Sequence, residues 1–341
     1  MSVRMAPRSD TDRVMAVGLA HTKGQKGMAS GARVVWPERA VRFGAALLFA
    51  GNVVGIPGAA AESTPLPKLF AEEWIDGTSA DEPAAQVQSL DRDTFVIRQS
   101  IKTNFEAPFL YLIFGRDRVL LVDTGAEGGR IRQVVDRLVK DWLAAHHRTS
   151  IPLVVAHSHS HGDHIAGDAA FRDRPDTTVI GLKPADVAGF FGIGKWPNES
   201  ARFDLGGRIL DILPTPGHQA ASIMIYDPRL KILLSGDVLY PGRLYVPVNF
   251  MSDERASIDR LVAFAATHPI SAVLGAHVEM MRTPGRDYPH EAATHPDEHR
   301  LELPVESIGE LQTGLKTALD VPEQPQVHDR FIIYPVAPRA E

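Results

Sequence analysis

Three histidines and an aspartate are crowded into the segment Ser158-His159-Ser160-His161-Gly162-Asp163-His164, which has the pattern H-x-H-x-D-H. Imidazoles repel one another once they are protonated, and they pack poorly in an apolar core. Neutral imidazole nitrogens and carboxylate oxygens are, however, good ligands for zinc, iron or manganese. The segment therefore predicts a metal site rather than a solvated polar loop.

Three further candidate ligands follow predicted strands in the second half of the chain. They are His218 in Thr215-Pro216-Gly217-His218, Asp237 in Ser235-Gly236-Asp237, and His277 in Gly275-Ala276-His277. A glycine one or two positions before each ligand allows the tight backbone turn that would bring these side chains to a shared rim. Together with the histidine segment, they predict seven metal ligands at one edge of the protein.

Apolar patterning predicts strands that alternate with helices, as in sheets covered by helices. The predicted strands are 94–98, 109–114, 119–122, 151–156, 178–180, 209–213, 222–226, 232–235, 272–274 and 331–334. The predicted helices are 129–146, 184–191, 256–266 and 305–319. The glycines and aromatic residues of 189–196 predict either a mobile lid over the site or a packed helix end followed by a turn.

The order H-x-H-x-D-H, T-P-G-H, S-G-D and G-x-H, preceded by Leu121-Val122-Asp123-Thr124-Gly125, resembles the metallo-β-lactamase-fold hydrolase superfamily over residues 90–280. The resemblance implies an α/β fold, a four-layer αββα sandwich with a dinuclear metal site on one edge. The implied ligands are His159, His161 and His218 for one ion, and Asp163, His164 and His277 for the other. Asp237 would bridge the two ions. Asp123 would orient the histidine segment without binding metal, with a turn-capping role as the alternative.

Such a site predicts a metal-dependent hydrolase. The expected cofactors are two divalent ions, with zinc in first place and iron or manganese as alternatives, and positions remain open for water and substrate. Two ions lower the pKa of a bridging water toward about 7, so that hydroxide can attack a carbonyl carbon at neutral pH. Asp163 is the candidate catalytic residue that accepts the proton of this hydroxide or fixes its orientation.

Differences within the superfamily point to a small-molecule carbonyl substrate such as a lactone, ester or thioester. True metallo-β-lactamases generally carry Cys or Ser where this chain has Asp237, which argues against β-lactam hydrolysis and leaves that activity as an alternative. Glyoxalase II-type thioesterases and acyl-homoserine lactonases carry the aspartate, and in the lactonases a tyrosine three residues later bonds the leaving oxygen. Tyr240 has that spacing and is the second catalytic candidate, with packing as its alternative role. A mononuclear iron dioxygenase of the same fold is the remaining alternative.

The first 61 residues have the plan of an export signal. Three arginines precede an apolar run at 43–56, and Ala59-Ala60-Ala61 resembles a cleavage site. We therefore predict a signal peptide over 1–61, with Met28 as an alternative start, and a periplasmic or secreted protein. Stable membrane contact after cleavage is not expected. An uncleaved anchor or a disordered tail is the alternative.

The composition of the whole chain limits its structural class and the kinds of partner it can bind. Its 341 residues are 44% hydrophobic, carry a formal net charge of −6 and include no cysteine. These values predict a globular protein without disulfides or cysteine nucleophiles, and the acidic balance argues against nucleic acid as a partner. The expected boundaries are a linker at 62–84, a catalytic domain at 85–300 and a C-terminal extension at 301–341 packed on that domain.

Overall fold

The computed structural model of the protein describes residues 66–320 and 324–338, and the predicted leader and the alternative start at Met28 lie outside these residues. Strands β1 to β6 are Ala85–Asp91, Thr94–Gln99, Phe109–Phe114, Val119–Val122, Leu153–Ala156 and Thr177–Val179. Helices α1 to α4 are Ile131–Ala145, Gly162–Ile165, Asp168–Arg172 and Pro184–Phe191. Within the described ranges, no helix has the length and apolar character needed to cross a membrane.

The second half of the described chain continues with strands β7 to β15 and two long helices. The strands are Ala201–Asp204, Ile209–Pro214, Ile223–Asp227, Ile232–Gly236, Arg243–Pro247, Ala272–Gly275, Glu302–Leu303, Gln326–Val327 and Ile332–Val336. Helices α5 and α6 are Met251–Ala265 and Glu306–Asp320. A short 3-10 helix, Val248–Phe250, leads directly into α5.

The strands form two six-stranded sheets and one small sheet. The first sheet has the order β1-β2-β3-β4-β5-β6, antiparallel up to β4 and parallel from β4 to β6. The second has the order β13-β12-β10-β9-β8-β7, and the third joins β11, β15 and β14. The parallel step from β4 to β5 requires a crossover, which α1 supplies.

Alternating side chains of the strands divide the core into layers. On β3, Phe109 and Tyr111 belong to the cluster that both sheets share, whereas Leu110 and Leu112 pack with the buried face of α1. On β9, Ile223 and Ile225 join the shared cluster, while Met224 and Tyr226 face the cluster that includes α5 and α6. The predicted four-layer αββα sandwich is therefore confirmed.

The sequence-based expectations differ from the structure in several places. Residues 189–196 end α4 in a left-handed Gly192, and Phe191 and Ile193 are buried in the core, so the structure has the packed helix end followed by a turn. Helix α5 begins at Met251 rather than at 256, because Met251 and Glu254 point into the interior. Residues 251–255 are mostly polar, so the sequence did not predict this first helical turn.

The segment that precedes β1 packs onto the sandwich without forming a helix or a strand over 66–84. Phe70 is buried in the core shared by the two sheets. Its ring lies 4.9 Å from that of Trp74, which in turn lies 5.0 Å from the ring of Phe109. These edge-on aromatic contacts fix part of the predicted linker to β3.

A buried arginine joins the two large sheets at the end opposite to the turn of the histidine segment. Arg208, just before β8, pairs with Asp227 at the end of β9, and both side chains are less than 5% exposed. The same guanidinium donates to Thr94 Oγ1 at 2.7 Å and to the carbonyl oxygens of Asp93 and Phe114 at 3.2 Å. One side chain thus satisfies acceptors on strands of both sheets.

Replacing Arg208 with alanine should lower the free energy of unfolding by about 3–5 kcal/mol, because Asp227 would remain buried without its counter-charge. Urea unfolding of the two proteins measures this difference. The matched control is Arg202→Ala on the neighbouring strand, an exposed residue whose removal should change the stability by less than about 0.5 kcal/mol. Equal unfolding midpoints for the two variants would contradict the role given to Arg208.

Candidate metal centre

The first group of candidate ligands brings three histidines from two distant segments together. His159 and His161 lie on the loop between β5 and α2, and His218 follows β8. The Nε2 atom of His159 is 2.9 Å from Nδ1 of His161, and Nε2 of His218 is 3.2 Å and 3.0 Å from these two atoms. The three nitrogens therefore face one common point.

The second group combines two residues of α2 with residues from two other loops. Nε2 of His164 and Nε2 of His277 lie 3.0 Å and 3.2 Å from the same oxygen, Oδ2 of Asp163, and 3.3 Å from each other. Asp237 completes the group, and all four ligand atoms lie within 4.8 Å of one another. Carboxylate and imidazole in this mixture are typical of zinc, iron or manganese sites.

Asp237 lies between the two groups. Its Oδ2 is 3.7 Å from Nε2 of His159 and 3.8 Å from Nε2 of His218. Its Oδ1 is 3.5 Å from Nε2 of His164 and 3.4 Å from Nε2 of His277. Each carboxylate oxygen faces a different group, which is the placement required of a ligand that bridges two ions.

The donor set fits metal ions. Oδ1 of Asp237 is buried and accepts no hydrogen bond in the described part of the chain. Nδ1 of His218 lies 2.6 Å from the Tyr245 carbonyl oxygen, and Nδ1 of His277 lies 2.7 Å from that of Glu106. A carbonyl can only accept, so Nδ1 carries a proton in both rings and Nε2 faces the centre, where it can bind a cation once its own proton has left. A metal ion would bind the deprotonated Nε2 atoms and the buried Oδ1 of Asp237 at the same time.

Glycines bring the ligands of the second sheet to this edge. Gly236 has φ +52°, and a Cβ there would lie 2.7 Å from Cβ of Ser158. Gly217 has φ +150°, and a Cβ there would lie 2.5 Å from Cα of Glu254. At both positions only glycine lets the backbone approach its neighbour so closely. The glycines singled out from the sequence thus place Asp237 and His218.

Asp123 orients the histidine segment through hydrogen bonds. It follows β4 in a left-handed conformation with φ +69°. Its Oδ1 accepts the backbone N–H of Ser158 at 2.7 Å, and its Oδ2 lies 2.8 Å from the hydroxyl of Ser158 and 2.9 Å from Nδ1 of His164. These bonds hold the His164 ring with Nε2 toward the second group. They agree with the orienting role implied by the family resemblance, and not with turn capping alone.

The variant Asp123→Asn should weaken metal binding by the second group about 10- to 100-fold, because such outer partners raise the basicity of a ligating histidine and fix its ring. Competition with a chromogenic chelator measures the affinity. Asp168→Asn is a suitable control, since Asp168 bonds His157 at 2.8 Å and not a candidate ligand. Unchanged affinity in Asp123→Asn would show that the orientation of His164 does not depend on Asp123.

Two residues that support the centre had no signal in the sequence. Oε2 of Glu254 on α5 accepts the backbone N–H of His218 at 2.8 Å. Burial raises the pKa of Glu254 to about 8, and the His218 N–H opposes this shift. The second residue is Glu106, whose carbonyl fixes His277. Both belong to ordinary-looking polar segments, and only the fold brings them to the ligands.

Protonation at the centre also follows from burial and charge. Burial lowers the pKa of His159 well below its usual value, and the charge of His164 adds to the effect. Burial alone would raise the pKa of Asp163, but the charges and hydrogen bonds of His164 and His277 hold it well below its usual range. His159 is therefore neutral and Asp163 is ionised at neutral pH, as ligands must be.

The two groups open into a cleft of about 840 Å³. His161, Asp163, His218, Asp237 and His277 line its floor. The predicted catalytic residue Tyr240 lies on its wall, with its ring 5.5 Å from that of His277. The Tyr240 hydroxyl donates to the carbonyl oxygen of Arg243 and lies 3.2 Å from Oε2 of Glu279. The structure thus brings all eight predicted site residues to one place.

Comparisons with known proteins agree with this geometry. A family model described as the metallo-beta-lactamase superfamily matches residues 104–269. The chain is similar to the hydroxyacylglutathione hydrolase of Rhizobium meliloti (strain 1021), with 29% identity over 139 residues that cover 40% of this chain and 51% of that protein. It is also similar to the acyl-coenzyme A thioesterase MBLAC2 of Bos taurus, with 25% identity over 223 residues that cover 56% and 80% of the two chains. The match thus spans about half the length of the Rhizobium relative.

Among solved structures, the chain is similar to a metallo-beta-lactamase from Pontibacter korlensis. The identity is 16%, the coverage is 68% of this chain and 99% of that one, and the TM-score is 0.45.

Proposed function

We propose, from the metallo-beta-lactamase superfamily domain that this chain carries at residues 104–269, that the protein is a dinuclear zinc hydrolase acting on a carbonyl substrate such as a thioester, ester or lactone. The observation that carries the proposal is Asp237, whose two carboxylate oxygens face two complete groups of ligands. His159, His161 and His218 would hold one ion, and Asp163, His164 and His277 the other. When bound, the two ions would supply a nucleophilic hydroxide at neutral pH and polarise the carbonyl oxygen of the substrate.

The side chains of the cleft have distinct tasks in this proposal. Asp163 is ionised and lines the cleft, so it is placed to accept a proton from the nucleophile or to fix its orientation. A catalytic role for Tyr240, as donor to the leaving oxygen, remains a proposal. It requires the hydroxyl to give up its bond to the Arg243 carbonyl. The cleft is large enough to enclose a small-molecule substrate.

The alternatives find less support at this site. A mononuclear iron dioxygenase would need a single ion, whereas Asp163, His164 and His277 form a second group beside the first. The activities for which the two relatives are named, hydroxyacylglutathione hydrolysis and acyl-coenzyme A thioester hydrolysis, both break a thioester bond. A thioester is therefore the first substrate class to test.

The test is acid release in a pH-stat by the zinc-loaded full chain, offered in turn a thioester, an acyl lactone, a phosphodiester and a penam. We expect turnover of a carbonyl substrate that stops when a chelator removes the zinc. The phosphodiester should remain intact. Oxygen uptake by the iron-loaded protein, without acid release from any member of the panel, would favour the dioxygenase and contradict the proposal.

A further inference from the structure

The wall of the cleft above the ligands is aromatic and acidic. Besides the floor, its lining residues include four tyrosines, three carboxylates and one arginine among the described residues. These are Tyr240, Tyr245, Tyr288 and Tyr334, Glu106, Glu279 and Asp287, and Arg243. Tyrosine rings with nearby carboxylates are the combination that recognises ammonium groups, through the ring quadrupole and through opposite charge.

The single arginine of this lining does not offer its charge to a substrate. Nη2 of Arg243 donates to Oε1 of Glu279 at 2.6 Å, and Nη1 donates to Oδ2 of Asp287 at 2.9 Å. Nη1 also donates to the Tyr288 carbonyl oxygen at 2.8 Å, and the residue is only 8% exposed. Two carboxylates compensate one guanidinium, so this part of the wall is negatively charged even before Glu106 is counted.

Glu106 is the carboxylate that remains available. It lies on the loop between β2 and β3, and its carbonyl accepts the Nδ1 proton of His277 at 2.7 Å, so its backbone is fixed beside the second ligand group. Within 66–320 and 324–338, no hydrogen bond or ion pair reaches its side-chain carboxylate. The loop is also tied to the opposite rim, where the ring of Phe105 lies 5.3 Å from that of His290.

Tyr245 lies beside the first ligand group. Its carbonyl accepts the Nδ1 proton of His218, and its ring packs edge-on against that of Tyr334 at 5.3 Å. Burial, assisted by the charges of Glu279 and Glu106, raises the pKa of Tyr245 to about 12, so the ring stays uncharged at neutral pH. The side chains of Glu106, Tyr245 and Tyr334 all line this one cleft.

We propose that Glu106, Tyr245 and Tyr334 form a subsite for a positively charged substituent of the substrate, so that the enzyme prefers cationic carbonyl substrates to anionic ones. This inference rests on the proposed function. The substrate preference would differ from that of the two relatives, because glutathione and coenzyme A thioesters are anionic. Glu106 is assigned as a specificity-determining residue of this subsite.

The experiment compares three acetyl thioesters that differ in the charge of the thiol. They are acetylthiocholine, the thioacetate of 2-mercaptoethanol and the thioacetate of 2-mercaptoethanesulfonate. Thiol release can be followed with a disulfide reagent, since the chain has no cysteine to react with it. With the zinc-loaded full chain we expect kcat/KM to be about tenfold or more higher for the cation than for the anion.

The variant Glu106→Gln should reduce this cation-to-anion ratio at least about fivefold, because it removes one charge at nearly constant shape. The matched control is Asp141→Asn, which removes one exposed charge from α1 and should leave the ratio unchanged. A measurement without variants accompanies it: choline should inhibit hydrolysis of the neutral thioester more strongly than ethanesulfonate does.

The possible results distinguish a failure of the proposed function from a failure of the proposed subsite. No turnover of any of the three thioesters, with zinc bound and the chain folded, would count against the proposed function itself. Turnover of the neutral thioester with an anion preference, or with a ratio near one, would overturn the subsite. A cation preference that Glu106→Gln leaves intact would also overturn the assignment to Glu106.

Discussion

Replacing Asp237 with asparagine should lower kcat/KM for a carbonyl substrate at least about 1000-fold, equivalent to about 4 kcal/mol in the activation free energy. The amide keeps the shape of the carboxylate but removes the charge that faces both ligand groups, with Oδ2 3.7 Å from His159 and Oδ1 3.4 Å from His277. Because both ions would share this ligand, the metal content should fall below two per chain.

Metal analysis of the purified variant and steady-state kinetics check these two expectations together. Asp141→Asn makes the same chemical change on the exposed face of α1 and should behave as the wild type. If Asp237→Asn kept two ions and its activity, Asp237 would not be a bridging ligand.

Replacing Asp163 with alanine should have a similarly large effect on activity but a different effect on metal content. The variant loses a ligand of the second group, which His164 and His277 share, and it loses the carboxylate that handles the proton of the nucleophile. We expect a loss of at least about 1000-fold in kcat/KM. The group of His159, His161 and His218 is untouched, so one ion should remain.

Titration of zinc into the metal-free Asp163→Ala variant, followed by calorimetry, measures the remaining sites. One tight site with almost no turnover is the expected result. A variant that kept full hydrolytic activity with only one ion bound would contradict the dinuclear mechanism.

The candidate centre was largely predictable because its signals are local in the sequence. The H-x-H-x-D-H segment and the ligands His218, Asp237 and His277 stand at strand ends beside glycines, and the structure brings them into two adjoining groups. That the metal is zinc and that the chain is exported remain predictions.

What the sequence could not reveal depends on contacts between distant segments. Glu254 reads as an exposed residue before a helix, yet it is buried beneath His218 in the first turn of α5. Arg208 reads as a loop residue, yet it joins both sheets through Thr94 and Asp227. Buried charges of this kind carry no periodic pattern, because their partners are supplied by the fold and not by neighbours along the chain.

Strand prediction failed for the same reason at the margins of the sheets. Strand β11 includes Arg243 and ends in Pro247, and this combination of residues does not predict a strand. It pairs in parallel with β15, and this pairing places Tyr245 opposite Tyr334 on the wall of the cleft. The aromatic half of the proposed subsite therefore appears only when the C-terminal segment is in place.

The most direct test of the central claim is hydrolysis of a neutral thioester in 18O-labelled water by the zinc-loaded full chain, with the carboxylic acid analysed by mass spectrometry. Hydrolysis at a two-metal centre predicts one solvent oxygen in each molecule of acid formed, with two zinc ions per chain, and no reaction after chelation. Acid formed without solvent oxygen, or no acid at all from a folded protein that holds two zinc ions, would contradict it.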